Sequence, residues 1–261
     1  MSFENVWERC QGKYQRVLAS ALCRRPVEMR NSFPLISFTF DDFPTSAIET
    51  GGRILGDHGI AGTYYVALGL LGRDEAAGRM FSKSDLELVV AQGHELGCHT
   101  FGHCDPWETD PQVYEASILD NRRELEHIMP GTRFETMSYA ISTTPRPATK
   151  KIAGHYFACC RAGGQQNNSG IVDLNYVRSF FLERSREKPE EITELIKRNC
   201  TERGWLVFST HDIAARPTKY GCTPELFEQV VKQSVASGAR ILPVNQALAD
   251  IRGGSASMAG K

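Results

Sequence analysis

Five polar side chains that can support metal or acid–base chemistry occur in three short segments of the sequence. Each segment lies at or just past the end of an apolar run of residues that favour β-strands. The side chains are Asp41 and Asp42, His99 and His103, and His211. Two carboxylates and three imidazoles are sufficient for one metal ion, one general base and one general acid. The sequence therefore indicates a hydrolytic site, provided that the fold brings the three segments together.

Each segment also has a simpler structural interpretation. Adjacent Asp41 and Asp42 repel each other unless a cation or hydrogen bonds compensate, and a helix N-cap would account for only one of them. His99 and His103 share a face if they lie on a helical turn, where they can bind a metal together with a third ligand. Such pairs are also found solvated or hydrogen-bonded in a core. His211 taken alone is most simply a hydrogen-bonded imidazole.

The predicted strands and helices alternate from Pro34 onward, which is typical of a parallel sheet covered by helices. The predicted strands are 35–40, 63–68, 94–98, 134–139, 155–160, 175–182, 205–209 and 240–242. The predicted helices are 45–58, 84–92, 110–129, 147–153, 189–203, 224–237 and 245–251. A capping box is predicted to open the second of these helices at Ser84, and Asp110 is the predicted N-cap of the third.

Glycines at the ends of predicted helices are the second organising pattern. Gly93, Gly204 and Gly238 each follow a helix and precede a strand, a place where glycine can adopt the left-handed conformation that reverses the chain. Seven or eight strand–helix units in about 220 residues predict a barrel, in which the chemistry lies at the C-terminal ends of the strands. All five candidate side chains fall at that end, and this shared position is a stronger signal than any single motif.

Composition and charge narrow the class of protein. The chain has 261 residues, a net charge of −1 and no basic stripe interleaved with aromatics, so nucleic acid is not an expected partner. Neither a signal peptide nor an apolar run long enough to span a membrane is recognisable. The eight cysteines form no CxxC pair, and we therefore expect reduced thiols and a cytoplasmic location.

Three regions are expected along the chain. Residues 1–31 form an N-terminal helical extension, since apolar residues recur at spacings of three and four over residues 4–24. This helix is expected to pack on the outside of the fold or against a second subunit, which would make a homo-oligomer. Residues 32–252 form the barrel. Residues 253–261 are small and polar and are predicted to form a disordered tail.

The three segments resemble motifs of a known family. Thr39-Phe40-Asp41-Asp42, His99-Thr100-Phe101-Gly102-His103 and the strand that ends in His211 are similar to the first, second and fifth motifs of the polysaccharide deacetylases, the NodB-homology group or carbohydrate esterase family 4. The resemblance implies a distorted (β/α)7 barrel of the α/β class. It also implies removal of N-acetyl groups from amino sugars, although some relatives cleave O-acetyl esters or other C–N bonds such as those of cyclic ureides.

The resemblance also implies a role for each candidate residue. Asp42, His99 and His103 would hold one divalent metal ion, expected to be zinc, which polarises the amide carbonyl and lowers the pKa of water. Asp41 would be the general base. His211 would be the general acid that protonates the leaving amine.

Two positions depart from the family pattern. Phe43 stands where the family usually has glycine, and a ring at the mouth of the site would narrow it or offer a surface for sugar stacking. The third motif lacks its usual Pro-Tyr-Gly, and the chain has Ala140-Ile141-Ser142 instead. The backbone N–H that stabilises the oxyanion would then belong to Ile141, or to Tyr139 if the alignment is shifted.

The family's third motif also usually supplies an arginine that orients the base, and it is missing here. Arg161, at the end of a later predicted strand, either replaces it by pairing with Asp41 or is an ordinary surface arginine. We therefore expect a metal-dependent deacetylase with an N-acetylated saccharide as its substrate. A hydrolase of small cyclic amides or ureides, and a non-catalytic carbohydrate-binding protein, are the alternatives.

Overall fold

The computed structural model describes residue 16, residues 18–142 and residues 144–253. In this part of the chain the strands are β1 (Pro26–Glu28), β2 (Leu35–Phe40), β3 (Thr63–Val66), β4 (Asp74–Glu75), β5 (Gly78–Arg79), β6 (Glu95–Cys98), β7 (Thr136–Ser138), β8 (Cys159–Ala162), β9 (Ile171–Asp173), β10 (Val177–Arg178), β11 (Phe180–Phe181), β12 (Trp205–Thr210) and β13 (Arg240–Ile241). Most of the predicted helical extension, and the predicted tail beyond residue 253, lie outside the described residues.

The main sheet is parallel and closes on itself. Its strands follow the order β10, β8, β7, β6, β3, β2, β12 and β11. The short strands β10 and β11 are separated only by Ser179, and they pair with β8 and β12 respectively. One segment of chain therefore joins the two edges of the sheet, which confirms the predicted α/β barrel with seven strand positions. The predicted strand 175–182 is this segment.

Strand β2 is central and explains the distortion of the barrel. It pairs with β12 along its whole length. On its other side, the first residues pair with β13 and the last residues with β3. The terminal strand is thus inserted beside the base of β2, and the upper half of β2 carries Asp41 to the rim beside β3.

The alternation of side chains along a strand directs residues inward or outward. In β2, Ile36, Phe38 and Phe40 face the helices, where Phe38 packs on Phe208 of β12 with ring centroids 5.5 Å apart. The intervening residues face the barrel interior. The next inward position after Thr39 is Asp41, so the pattern that fills the core also directs the first aspartate into the barrel.

The helices surround the sheet. A π-helical segment, Ala47–Gly52, continues into α1 (Arg53–Asp57), and the later helices are α2 (Lys83–Ala91), α3 (Pro111–Ile128), α4 (Pro147–Tyr156), α5 (Pro189–Thr201), α6 (Pro224–Ala236) and α7 (Val244–Ile251). Short 3-10 helices follow β3, β7 and β11 at Leu68–Leu70, Ala140–Ser142 and Leu182–Ser185. In the described part of the chain, no helix has the length and apolar character needed to cross a bilayer.

One predicted helix boundary is confirmed, and another needs correction. Asp110 caps α3 as predicted, since its side chain accepts hydrogen bonds from the amides of Gln112 and Val113. The capping box of α2 begins at Ser82 rather than Ser84, because Asp85 lies three residues after Ser82 and closes the box with it. The prediction at Ser84 was wrong because Asp85 and Glu87 offered two acidic partners in the sequence.

The glycine pattern holds at two of its three positions. Gly93 and Gly238 have φ of 76° and 75°, as a left-handed helix terminus requires. At the third position Arg203 takes the left-handed conformation, with φ of 47°. Gly204 is instead required for close packing, because a Cβ there would lie 2.7 Å from the Asn168 carbonyl oxygen.

Candidate active site

The five candidate side chains meet at the C-terminal rim of the barrel. They line one cleft of about 670 Å³. Asp41 and Asp42 follow β2, His99 and His103 follow β6, and His211 follows β12. Because β6, β3, β2 and β12 are consecutive in the parallel sheet, their ends converge, and residues up to 170 positions apart in the sequence become neighbours.

Asp42 lies between the two histidines of the second segment. Its Oδ1 atom is 3.0 Å from Nε2 of His103 and 3.4 Å from Nε2 of His99. One ligand atom from each of the three residues lies within 4.8 Å of the others. Asp42 itself is in the left-handed region, with φ of 60°. This sharp turn directs Asp42 across the rim immediately after Asp41 has pointed inward.

The two histidines are brought together by a turn, not by the helix that the spacing suggested. Thr100 and His103 have φ of 59° and 52°, which a regular helix excludes. The Thr100 hydroxyl accepts a hydrogen bond from the Cys104 amide at 2.8 Å, and the Ser117 hydroxyl accepts one from the Gly102 amide at 3.1 Å. These side-chain bonds replace helical hydrogen bonds and fix the turn.

The donor set fits a divalent cation. The Nδ1 atom of His99 is 2.6 Å from the Ser138 hydroxyl and 3.0 Å from the Ser138 carbonyl oxygen. The carbonyl can only accept and the hydroxyl donates to Asp41, so Nδ1 carries the proton. The Nε2 atom therefore presents its lone pair toward Asp42. The Asp42 Oδ1 atom is buried without a well-formed hydrogen bond among the described residues. Converging lone pairs of a carboxylate and imidazoles need a positive charge between them, and this combination is typical of zinc sites.

The electrostatics of Asp42 and His103 agree with this arrangement. Burial tends to raise the pKa of Asp42, but the imidazoles of His103 and His99 outweigh it and hold this pKa well below the usual value. Burial lowers the pKa of His103, and the Asp42 carboxylate more than reverses this effect. The site therefore favours a carboxylate anion at Asp42 with a compensating positive charge beside it.

Asp41 is held in a separate, buried network. Its carboxylate forms an ion pair with Arg161, and it accepts hydrogen bonds from the hydroxyls of Ser209 at 3.1 Å and Ser138 at 3.4 Å. Burial alone would raise the pKa of Asp41. The Arg161 charge, with smaller contributions from His99 and His211, reverses this effect and lowers the pKa. Asp41 is therefore ionised at neutral pH although it is buried.

Of the two interpretations of Arg161, the structure supports the pairing with Asp41. The residue is only 1% exposed, so it is not a surface arginine. It projects from β8, where its Nη1 donates to the Ser179 hydroxyl at 3.1 Å. Its guanidinium also lies 5.2 Å from the ring of Tyr65. Hydrogen bonds and the aromatic face together direct the charge at Asp41.

His211 faces the cleft with one nitrogen free for chemistry. Its Nδ1 atom lies 3.1 Å from the carbonyl oxygen of Tyr220, so that nitrogen carries a proton. Its Nε2 atom is 3.9 Å from Oδ2 of Asp42, whereas the other two imidazoles approach Oδ1. The side chain is 14% exposed and is therefore accessible to a small molecule in the cleft.

Phe43 is not at the mouth of the site. Its ring is completely buried and stacks on Phe81 with centroids 5.2 Å apart, and it also contacts Tyr64. The expectation that it narrows the mouth or stacks on a sugar was wrong. The reason is its left-handed backbone, with φ of 57°, which turns the side chain away from the rim into the packing between sheet and helices.

Ile141 and Tyr139 differ in their ability to provide an oxyanion donor. The Tyr139 amide already donates to the Arg161 carbonyl oxygen at 2.9 Å, as part of the strand pairing, and its hydroxyl donates to the Asn175 carbonyl oxygen at 3.1 Å. Ile141 has φ of 60°, is 54% exposed and lines the cleft. The geometry therefore favours Ile141 over Tyr139 as that donor.

Three residues of the site were missed from the sequence. Ser138 and Ser209 bond to Asp41, and Glu183 lines the cleft beyond β11 with its Oε2 atom buried and unpartnered among the described residues. Burial raises the pKa of Glu183 to about 7. Ser209 was detectable, since it occupies an inward position two residues before His211. Glu183 directly follows the predicted strand 175–182, but it belongs to none of the motifs in the sequence.

The sequence model of the polysaccharide deacetylase family matches residues 29–155. This region includes Asp41, Asp42, His99 and His103 and ends before Arg161. None of the curated protein sequences compared with the chain matches it.

Solved structures share the fold at low sequence identity. A chitin deacetylase from the fungal pathogen Colletotrichum lindemuthianum is 14% identical, with a TM-score of 0.62 over 84% of this chain and 89% of that chain. An acetyl xylan esterase of family 4 from Clostridium thermocellum, in complex with a cobalt ion, is 16% identical, with a TM-score of 0.58 over 84% and 92%. A family 4 pseudoenzyme from Bacillus anthracis is 12% identical, with a TM-score of 0.57 over 84% and 66%. At these identities the similarity establishes the barrel fold.

Proposed function

Because a model of the polysaccharide deacetylase family matches residues 29–155, we propose that the chain is a metal-dependent hydrolase that removes N-acetyl groups from amino sugars of a polysaccharide or its precursor. The observation that carries the proposal is the meeting of Asp42, His99 and His103 with Asp41 and His211 in one cleft. A metal site alone would serve many purposes. A metal site between an ionised buried carboxylate and an accessible imidazole suits hydrolysis of an amide.

Asp42, His99 and His103 are the residues that would hold the ion, which we propose to be zinc. When bound, a divalent ion would polarise the acetyl carbonyl and make water more acidic. The chain prepares this position in two ways. The Ser138 carbonyl oxygen fixes the tautomer of His99, and the turn at Thr100 fixes the separation of the two imidazoles.

Asp41 is suited to accept a proton from the attacking water. Its ionised state is maintained by Arg161, and a base must be unprotonated at the start of the reaction. The hydroxyls of Ser138 and Ser209 fix its orientation. The Asp42 carboxylate repels that of Asp41, and the two serine hydroxyls hold the Asp41 carboxylate toward the cleft against this repulsion.

His211 is suited to give a proton to the departing nitrogen. An amine leaving group is too basic to depart as an anion, so the C–N bond breaks only with protonation. The Nε2 atom of His211 faces the cleft, while its Nδ1 is held by the Tyr220 carbonyl oxygen. This anchor sets the direction in which the proton is delivered.

Acetate release tests the proposal. The purified chain, supplied with zinc, is incubated with N-acetylglucosamine oligomers of increasing length and with the monosaccharide, and acetate and free amine are quantified. We expect equal amounts of both products, and we expect the rate to fall about a hundredfold or more in the Asp41→Asn variant, the usual effect of removing a general base. His127→Ala, on the exposed end of α3, is the matched control and keeps the wild-type rate.

Other outcomes would show that the proposal is wrong. Hydrolysis of a small cyclic ureide without acetate release from any sugar would assign the site to the alternative C–N hydrolase chemistry. Saccharide binding without turnover, at the same affinity in wild type and in Asp41→Asn, would identify a carbohydrate-binding protein.

A further inference from the structure

Two basic side chains lie on one half of the cleft, and the only acidic group there on which their charge is felt is the Glu183 carboxyl beside Arg184, among the described residues. Arg184 and Lys219 both line the cleft, and neither makes an ion pair with a described residue. They follow β11 and β12, the strands next to His211 in the barrel. On the outer helices, by contrast, exposed lysines pair with acids three or four positions away, as Lys197 does with Glu194 at 2.7 Å.

Aromatic rings hold the two cations at the rim. The Arg184 guanidinium lies 4.6 Å from the ring centroid of Phe181, and the Lys219 ammonium lies 4.8 Å from that of Tyr220. A cation over an aromatic face gains stabilisation without losing its charge. The side chains are therefore kept beside the cleft while their hydrogen-bond donors remain available.

Lys219 precedes Tyr220, the residue that holds His211, so the two cations lie close to the proposed general acid. Tyr220 holds His211 through its carbonyl oxygen, and the two rings are 5.4 Å apart. If His211 protonates the departing amine, the sugar that carries the amine must lie on the same side of the scissile bond as His211. Arg184 and Lys219 therefore flank the space occupied by the sugar, and the acetyl group occupies the opposite side.

Resting on the proposed function, we propose that Arg184 and Lys219 form a subsite for an anionic group of the substrate, so that the preferred substrate is an N-acetylated amino sugar that carries a carboxylate or a phosphate. Arginine can bind either group with two parallel hydrogen bonds, and lysine adds a point charge. A neutral chitin-type oligomer would leave both cations without a partner.

Besides Asp41 and Asp42, two acidic residues line the cleft, and neither forms an ion pair with Arg184 or Lys219. Glu75 lies on the β4–β5 hairpin, where its charge acts on His103, on the metal side of the cleft. Glu183 has an unpartnered buried oxygen, which can accept a hydrogen bond from a sugar hydroxyl. The half of the cleft beside His211 thus offers two cationic donors and one acceptor, a combination that fits an acidic sugar.

Equilibrium binding tests the subsite independently of catalysis. The probes are N-acetylglucosamine, its 3-O-lactyl ether, its 6-phosphate and its 1-phosphate, titrated calorimetrically into the zinc-loaded Asp41→Asn chain at low and high salt. We expect at least one anionic sugar to bind about tenfold more tightly than the neutral one, the scale of two partly exposed charge contacts. The gain should fall at high salt. The carboxylate and phosphate probes identify which anion is preferred.

Matched variants assign the effect to the two residues. Arg184→Gln and Lys219→Gln should each reduce the preference for the anionic sugar, and the double variant should remove it while leaving affinity for N-acetylglucosamine unchanged. Arg216→Gln, an exposed arginine on the same loop as Lys219 that does not line the cleft, should keep the full preference.

The results separate the subsite from the proposed function. If no anionic sugar binds more tightly than the neutral sugar, the subsite proposal is wrong, whatever the activity. If the anionic preference and its dependence on Arg184 and Lys219 are found but no acetate is ever released, the subsite stands and the deacetylase function fails.

Discussion

Arg161 and Asp41 form an ion pair across the interior of the barrel, although 120 positions separate them in the sequence. Their side chains are 1% and 6% exposed. The guanidinium comes from β8 and the carboxylate from the end of β2, on strands that are not neighbours in the sheet. The buried negative charge of Asp41, which base catalysis needs, is therefore stable in the barrel interior because the positive charge of Arg161 lies beside it.

Removing the guanidinium should destabilise the fold strongly. Arg161→Met leaves the Asp41 carboxylate buried without its counter-charge, and we expect the free energy of unfolding at pH 7 to fall by about 3–5 kcal/mol. Combining it with Asp41→Asn should restore a large part of the loss. The measurement is urea denaturation of the four proteins of the cycle. Arg53→Met, which removes an exposed ion pair with Asp57, should cost under about 1 kcal/mol. Equal costs at the two sites would contradict the importance of the buried pair.

The metal ligands should be identifiable by metal content. Wild-type protein purified without chelators or metal-affinity resin should contain one zinc ion per chain, and His99→Ala and His103→Ala should lose it because three protein ligands are needed. His127→Ala should retain the ion. Elemental analysis of each variant, with circular dichroism to check folding, provides the measurement. Folded His99→Ala and His103→Ala that hold as much zinc as wild type would exclude this ligand set.

His211 should matter more for a poor leaving group than for a good one. His211→Ala should reduce release of acetate from an N-acetylated amino sugar by about a hundredfold or more, the scale of general acid catalysis. Hydrolysis of an activated aryl acetate should be affected much less, because a phenolate leaves without protonation. The ratio of the two losses isolates the proton transfer. Equal losses on both substrates would mean that His211 positions the substrate instead.

Glu95 should make stability depend on pH. Burial raises its pKa from 4.5 to about 7, against the hydrogen bonds from Thr136, the Asn245 amide and Thr63. Because this pKa is higher in the folded state than in the unfolded chain, Glu95 makes a contribution to stability that is fully present below pH 4.5. This contribution is lost as the pH rises through 7. The loss should approach about 3 kcal/mol.

Glu95→Gln removes this titration. Relative to wild type, the variant should gain stability between pH 5 and pH 8, by urea denaturation at each pH. Glu87→Gln, an exposed acid on α2 that pairs with Lys83, should show a nearly constant difference from wild type. Parallel profiles for Glu95→Gln and wild type would contradict a raised pKa at this residue.

The sequence predicted the barrel and the main cleft residues because both depend on short-range patterns. Apolar runs located the strands, and the position of Asp41, Asp42 and His211 just after those runs placed them on one rim. The parallel arrangement followed from strand–helix alternation. These inferences need only the length and order of the elements.

Conformations that depend on tertiary contacts were not predictable in this way. The left-handed backbone of Phe43 buries its ring against Phe81, whereas a reading of the sequence alone placed it at the mouth. The sequence left the pairing of Arg161 with Asp41 as one of two alternatives, because the choice depends on the closed barrel that brings the ends of β8 and β2 together. Glu183 was missed because it belongs to none of the motifs in the sequence and enters the cleft only through the fold.

The contacts of Asp41 have a consequence for the evolutionary history of such barrels. Its carboxylate bonds to β7 through Ser138, to β8 through Arg161 and to β12 through Ser209. A descendant that no longer performed any reaction would still unfold more easily without Asp41, and selection for a folded chain would retain it. His211 is held mainly by one carbonyl oxygen and contributes little to the stability of the fold. In a lineage that loses its activity, we therefore expect His211 to be substituted early and Asp41 late.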